Sequence, residues 1–259
     1  MTNYMNRIFA FFVLAVCLFI CNEAKAQNDV YLAPDPKTAR WSYIETDNTG
    51  KNAAIVYYSV ESIEGDGVNG NIKLLVKEVP VASPGDTVKS YHFYSFKDGE
   101  LLPDIFSGFE DNLFDDKLDT QVRKTIQEEY PDLPEDKKQE VIRQVKTEFI
   151  KVFGETRGIP RYPQIGKLPD YEFQCKISLV NMKVVCDNRR IIGKERIQTD
   201  AGMFDCFVLE ETMTTKSMTM KDVERIKSWY AYGIGMVKEI TYDKNGNMIS
   251  TMVLNGINW

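Results

Sequence analysis

Histidine is almost absent from this chain, with His92 alone in 259 residues. A Ser/His/Asp or Cys/His relay has one imidazole to draw on, and a metal site would need carboxylates or thiolates for nearly all its ligands. G-x-S-x-G, S-x-x-K, a P-loop and a post-strand G-x-G-x-x-G are missing as well. The adjacent acids Asp115-Asp116, Glu128-Glu129 and Glu210-Glu211 make no acid/base pairs, because successive side chains diverge by about 100° on a helix and point to opposite faces of a strand. Residues 64–71 (EGDGVNGN) lack EF-hand spacing and its closing glutamate, so they read as a hairpin turn. Positive charge is also short: the formal net charge is -6, and no Lys/Arg cluster stands clear of carboxylates, which disfavours nucleic acid as a partner. These absences point to a protein that is not an enzyme, with no metal and no cofactor.

Long apolar runs are confined to the start. Arg7 precedes Ile8 to Ile20 (IFAFFVLAVCLFI), too short to span a bilayer comfortably, and Ala24-Lys25-Ala26 offers an A-x-A cleavage site. Residues 1–26 therefore read as a signal peptide, leaving a soluble exported protein from Gln27 that is periplasmic or further out. The competing reading is a lipoprotein anchored through Cys17 or Cys21, although Val16 and Ile20 are large for the position before a lipidated cysteine. No other stretch has membrane-spanning length.

Export makes the remaining cysteines candidates for oxidation. A hairpin centred on Val180-Asn181 sets Cys175 opposite Cys186 and predicts a disulfide, the alternative being two reduced core thiols. Cys206, alternating with Phe204 and Val208, reads as a buried small hydrophobe.

Turn clusters every eight to twelve residues break β-branched and aromatic runs over 40–97 and again over 171–254. The expected fold is mainly β: a curved antiparallel meander of about ten or eleven strands, a half-barrel or open barrel, because open sheets of that width curl or split. One β-rich domain over 27–259 carries a two-helix insertion at about 115–154. Leu118, Val122 and Ile126 form one apolar stripe, and Val141, Ile142, Val145, Phe149, Val152 and Phe153 form another; Pro131 and Pro134 separate the helices. Such a pair either packs on a sheet face or serves as a lid or docking surface.

Aromatic residues make up 12% of the chain and concentrate in the strands. Tyr57, Tyr91, Phe93, Trp229 and Tyr230 are candidates for the wall of a ligand-binding hollow, with plain core packing as the alternative.

Gly166-Lys167-Leu168-Pro169-Asp170, NRRIIGKERIQTDAGMFDCFVLE (188–210) and SWYAYGIGMVKEITYDKNGNM (228–248) resemble a family of exported Bacteroidetes proteins of unknown function, called TapB-like. That resemblance implies a β-rich envelope protein similar to the open barrels of lipoprotein carriers, with no catalytic residues to carry over. The expected function is binding of a lipid or other apolar or amphiphilic ligand on the concave face. The alternatives are docking of an envelope protein through the helices and, third, an envelope hydrolase using His92.

Overall fold

The computed structural model describes residues 40–65, 70–97, 100–103, 116–177, 180–217 and 221–258, so the export segment over residues 1–26 lies outside the described residues. Strands β1 (Arg40–Asp47), β2 (Asn52–Gly65), β3 (Gly70–Pro80), β4 (Val88–Lys97) and β5 (Glu100–Pro103) lead into helices α1 (Asp116–Glu129) and α2 (Glu135–Phe149). The chain continues through β6 (Ile150–Glu155), β7 (Ile159–Pro160), β8 (Gly166–Lys167), β9 (Tyr171–Ile177), β10 (Val180–Thr199), β11 (Gly202–Lys216), β12 (Lys221–Ala231), β13 (Gly235–Tyr242) and β14 (Met248–Asn258). All join one antiparallel sheet of 14 strands in the order β6-β9-β10-β11-β12-β13-β14-β1-β2-β3-β4-β5-β7, with β8 beside β10. The first and last long strands, β1 and β14, are neighbours, so the two β segments of the sequence form one surface.

Two turns share one chemistry. In the β1–β2 loop, Asp47 Oδ1 accepts from the backbone N–H of Thr49 and Lys51; in the β13–β14 loop, Asp243 Oδ1 accepts from those of Asn245 and Asn247. Gly50 and Gly246 supply the left-handed residue in each, at φ 79° and 87°. The Thr49 hydroxyl on Asp47 and the Asn247 side-chain amide on Asp243, and after them these backbone donors, hold both aspartates below the usual carboxylate range.

The sheet curls tightly. From β4 to β12 is six strand spacings, about 29 Å if flat, yet Tyr94 on β4 and Tyr230 on β12 interact electrostatically. Residues paired directly across an antiparallel ladder share a face. The registers therefore put Trp41, Tyr43, Val56, Tyr58, Ile72, Leu74, Val76, Tyr94, Phe96 and Leu254 on the concave side. Ile72, Leu74, Val237 and Leu254 have essentially no accessible surface, so much of the interior is filled by the protein's own side chains.

A strap over residues 156–170 spans the gap between the ends of the strand path. It pairs with β5 through β7 and with β10 through β8. Gly158 is the crossing point: a Cβ there would stand 2.3 Å from the Leu101 carbonyl oxygen, and its own carbonyl accepts from Arg189 Nη2 at 3.2 Å. The buried Arg189 also donates to Pro169 O at 2.8 Å and to Glu211 at 3.1 Å. One guanidinium thus ties both ends of the strap to β10, while Ile159 and Leu168 pack with Ile191, Phe207 and Leu209 beneath it.

Two expectations change. Cys175 pairs with Met182 and Cys186 with Tyr171, because Val180 and Asn181 extend strand β10 and the ladder closes at Ile177 and Val180. The cysteines are then four residues out of register, about 13 Å along the strand, and both are free and buried, so no disulfide joins them. The second helix stops at Phe149 instead of near 154, since the β-prone run from Ile150 pairs with β9. The two helices contact each other, and the second runs directly into β6, the strand at one end of the sheet path.

Candidate functional site

Alternation along the strands sorts the charges. Every lysine and arginine of β1, β3, β4, β12 and β13 falls at outer-face positions: Arg40, Lys73, Lys77, Lys89, Lys97, Lys221, Arg225, Lys227 and Lys238. The inner positions of the same strands carry Glu45, Glu78, Glu224 and Glu239. Beside them on β11, Glu211 is satisfied by Arg189. The other inner-face cations are exposed toward the β10–β11 turn, where Arg196 pairs with Asp205 and Lys194 lies over Phe207.

Glu239 sits in the middle of this acidic lining. It accepts a hydrogen bond from the buried Ser228 hydroxyl at 2.9 Å, and among the described residues no lysine or arginine pairs with it. Burial first, then the carboxylates of Glu211, Glu224 and Glu45, push its pKa up, against the lowering effect of Ser228.

Four tyrosines lie within electrostatic reach of the carboxylate. Glu239 lies close enough to raise the phenols of Tyr43, Tyr58, Tyr94 and Tyr230, although burial is the larger cause for each; Tyr94 reaches about 12. Trp41 stacks on Tyr58 at a 6.0 Å centroid distance, and Tyr43 meets Tyr58 edge-on at 5.2 Å. His92 meets the same ring edge-on at 5.7 Å, and burial lowers its pKa. Tyr43 donates its hydroxyl to Met236 O at 2.7 Å. The hydroxyls of Tyr58, Tyr94 and Tyr230 make no hydrogen bond within the described protein, although all three rings lie deep and keep partial accessibility. A buried phenol normally has a partner. Three phenol hydroxyls without a partner in the described protein thus share the concave side with one carboxylate that has no cation and with an aliphatic floor.

Of the residues singled out from sequence, Tyr230 lies on this concave side. Tyr57, Tyr91 and Phe93 lie on the outer face, with Lys73 over the rings of Tyr91 and Phe93. Trp229 is also on that face, buried under Lys227 and Lys238 and donating to Glu195 at 2.8 Å. The structure therefore does not bring the five together. Trp41, Tyr43, Tyr94, Ser228 and Glu239 complete the site; their signal was the period-two placement of acids opposite lysines, visible in Lys238-Glu239 but meaningless until the inner face is known.

A second groove, of about 1130 Å³, opens on the other side of β10–β13, lined by Lys167, Arg190, Ile192, Arg225, Lys227 and Tyr242 among others. Arg190 is engaged by Glu210 at 2.8 Å and Lys167 by Asp170 at 3.1 Å, so part of its positive charge is already matched. Among the described residues no group of three or more His, Cys, Asp or Glu could hold a metal ion, and no helix is long and apolar enough to cross a membrane.

Comparison with known proteins gives the fold a context. No curated protein matches the chain. The DUF3108-like family pattern matches residues 163–254, the strap's second half through β14. Two crystal structures share the fold at low identity: a lipoprotein candidate from Parabacteroides distasonis (17% identity, TM-score 0.59) and an exported-protein candidate with a YmcC-like fold from Bacteroides fragilis (14%, 0.58). The first alignment covers 90% of this chain, the second 89%, and each covers 100% of the other chain. The chain is thus similar, over nearly its whole length, to exported or lipoprotein-type β proteins of the Bacteroides group, and similar over its last third to the DUF3108-like family.

Proposed function

We propose that this is an exported, non-enzymatic protein that holds an amphiphilic molecule on the concave face of its curled sheet. The observation that carries the reading is the trio of partly accessible hydroxyls on Tyr58, Tyr94 and Tyr230, without a partner in the described protein, which a bound polar group would satisfy while its apolar part lies on the aliphatic floor. The sole imidazole packs on the ring of Tyr58 and takes no part in the Ser228–Glu239 hydrogen bond, so no Ser/His/carboxylate relay is assembled, and the site suits holding a molecule better than cleaving one. Organic extraction of the protein purified from the exported fraction, analysed by mass spectrometry, should release a stoichiometric amphiphile. The emptied protein should then enhance the fluorescence of the neutral probe N-phenyl-1-naphthylamine, and Tyr94→Phe combined with Tyr230→Phe should weaken that binding about tenfold. An empty extract together with no probe binding defeats the reading.

A second reading, docking of an envelope protein through the helical hairpin, is favoured by the hairpin's continuation into the end strand β6, with Tyr130 exposed at its turn. Deleting residues 116–149 should then abolish co-purification of a partner while leaving the strand signature in circular dichroism; unchanged association counts against it.

A further inference from the structure

We propose that the groove on the outer side of β10–β13 is a separate binding site for a phosphate ester, with Arg225 and Lys227 holding the phosphoryl oxygens and Thr212 adding a hydroxyl donor. Along the sequence the cations are scattered among carboxylates. The sheet gathers Lys167 from β8, Arg189 and Arg190 from β10, and Arg225 and Lys227 from β12 around one opening of about 1130 Å³. Both glutamates in its wall are already taken, Glu211 by Arg189 at 3.1 Å and Glu210 by Arg190 at 2.8 Å. Lys167 has Asp170 at 3.1 Å, and Lys227 has Glu195 at the longer distance of 3.6 Å. Arg225 is the cation left over: no carboxylate among the described residues lies within ion-pair distance of it.

Its surroundings hold Arg225 in place without neutralising it. The guanidinium lies over the ring of Tyr242, 5.8 Å from the centroid, on the strand paired with its own. Its Nη2 packs on the β13–β14 loop, where a Cβ at Gly246 would stand 3.0 Å away. Asp243 of that loop spends its carboxylate on the backbone N–H groups of Asn245 and Asn247 and on the Asn247 side-chain amide. A positioned, always charged fork of this kind suits a bidentate oxyanion. Lys227 follows two residues along the same face, about 7 Å away, and Thr212 stands directly across the ladder from Arg225. The Thr212 hydroxyl accepts from Asn188 Nδ2 at 3.5 Å and donates to nothing among the described residues. Two cations and a hydroxyl match the charge and the three acceptor oxygens of a phosphate monoester better than they match a single carboxylate. The opening is far larger than a phosphate group, and the exposed Ile165 and Ile192 share its wall, so the phosphate is carried on a larger body. A sugar phosphate and a phospholipid head present the same chemistry.

The test is titration calorimetry of the full-length mature protein in phosphate-free buffer with glucose-6-phosphate, glucuronate, glucose and dihexanoylphosphatidate, the last below its micellar concentration. Both phosphates should bind, glucose-6-phosphate about tenfold more tightly than glucuronate, with no binding of glucose. Half-molar sodium chloride should weaken the binding several-fold. Arg225→Gln should cost about tenfold and Lys227→Gln about threefold, while Lys77→Gln, on the same face but on β3, should change nothing. Tyr94→Phe with Tyr230→Phe on the concave side should likewise leave glucose-6-phosphate binding unchanged, and thermal unfolding checks that every variant folds. Tighter binding of phosphatidate than of glucose-6-phosphate, lost with Arg225→Gln, upholds the site and assigns it to a lipid head; the reverse order upholds it and assigns it to a sugar phosphate. Absence of binding by both phosphates, no preference over glucuronate, or affinities unmoved by both Arg225→Gln and Lys227→Gln overturns the site, while the concave-face reading keeps its own test.

Discussion

Neighbouring residues on the same strands of this protein live in opposite surroundings. Arg189 and Arg190 are adjacent in sequence, yet one is 3% exposed and bonds to two carbonyls and a glutamate, whereas the other is mostly in solvent beside Glu210. Leu74 and Leu75 divide in the same way, the first in the core of the curl and the second on the outer surface with Lys73 and Lys77. Curvature is what separates them. Once a sheet wraps around one of its faces, that face becomes an interior where dispersion, unpaired charge and orphaned hydroxyls have large consequences, and the other remains surface chemistry.

Arg189→Ala should show the difference most strongly. It strands Glu211 and frees both strap ends, at a cost of about 3–5 kcal/mol, while Arg190→Ala removes an exposed pair worth less than about 1 kcal/mol; urea unfolding of both variants measures it. Comparable losses would mean that the strap is not held as described. Leu74→Ala should cost about 2–5 kcal/mol, as buried leucines do, and Leu75→Ala under about 1 kcal/mol. A reversal of that order would assign the wrong face to the interior.

A smaller effect tests the carboxylate in the hollow. Because Glu239 is held above the usual carboxylate range, mainly by burial, the folded protein keeps its proton at pH values where the unfolded chain has released it. That stabilisation is complete below the ordinary value of about 4.3 and is lost as pH rises through the raised one. In the ligand-free protein, Glu239→Gln should therefore have a higher Tm than the parent at pH 8, the gap closing toward pH 4. A gap independent of pH would remove Glu239 from the interior. The least consequence is expected at the two outer loops: Asp47→Asn and Asp243→Asn should each lower Tm by about 1 °C at pH 7, less below the aspartates' depressed pKa, since acid already removes the charge that the loop donors stabilise.

Much of the fold was legible from turn chemistry. D-N-T-G-K and D-K-N-G-N each specify a five-residue hairpin loop, and the strand pattern after them required a curled sheet. The helices were legible from their apolar stripes, up to the point where Ile150 begins to pair with β9. The disulfide failed for a specific reason: a two-residue shift of the hairpin centre moves Cys175 from Cys186 to Met182, and nothing between Ile177 and Val185 announces which pair of residues makes the turn. The candidate wall failed by parity. Trp229 and Tyr230 are both aromatic, both strand residues and both partly or fully buried, but one residue of offset sends them to opposite faces.

The amino-acid sequence by itself determined the antiparallel meander, the paired aspartate loops, the helical insertion and the scarcity of catalytic groups, because each is a local matter of periodicity, turn residues and composition. Only the tertiary structure decided which face became the interior, that Gly158 and Arg189 bridge its two ends, and that Glu239 stands among tyrosines without a cation. Those outcomes depend on contacts between residues far apart in the chain, such as the Tyr43–Met236 hydrogen bond across 193 positions, and on a curl whose sense no single strand encodes.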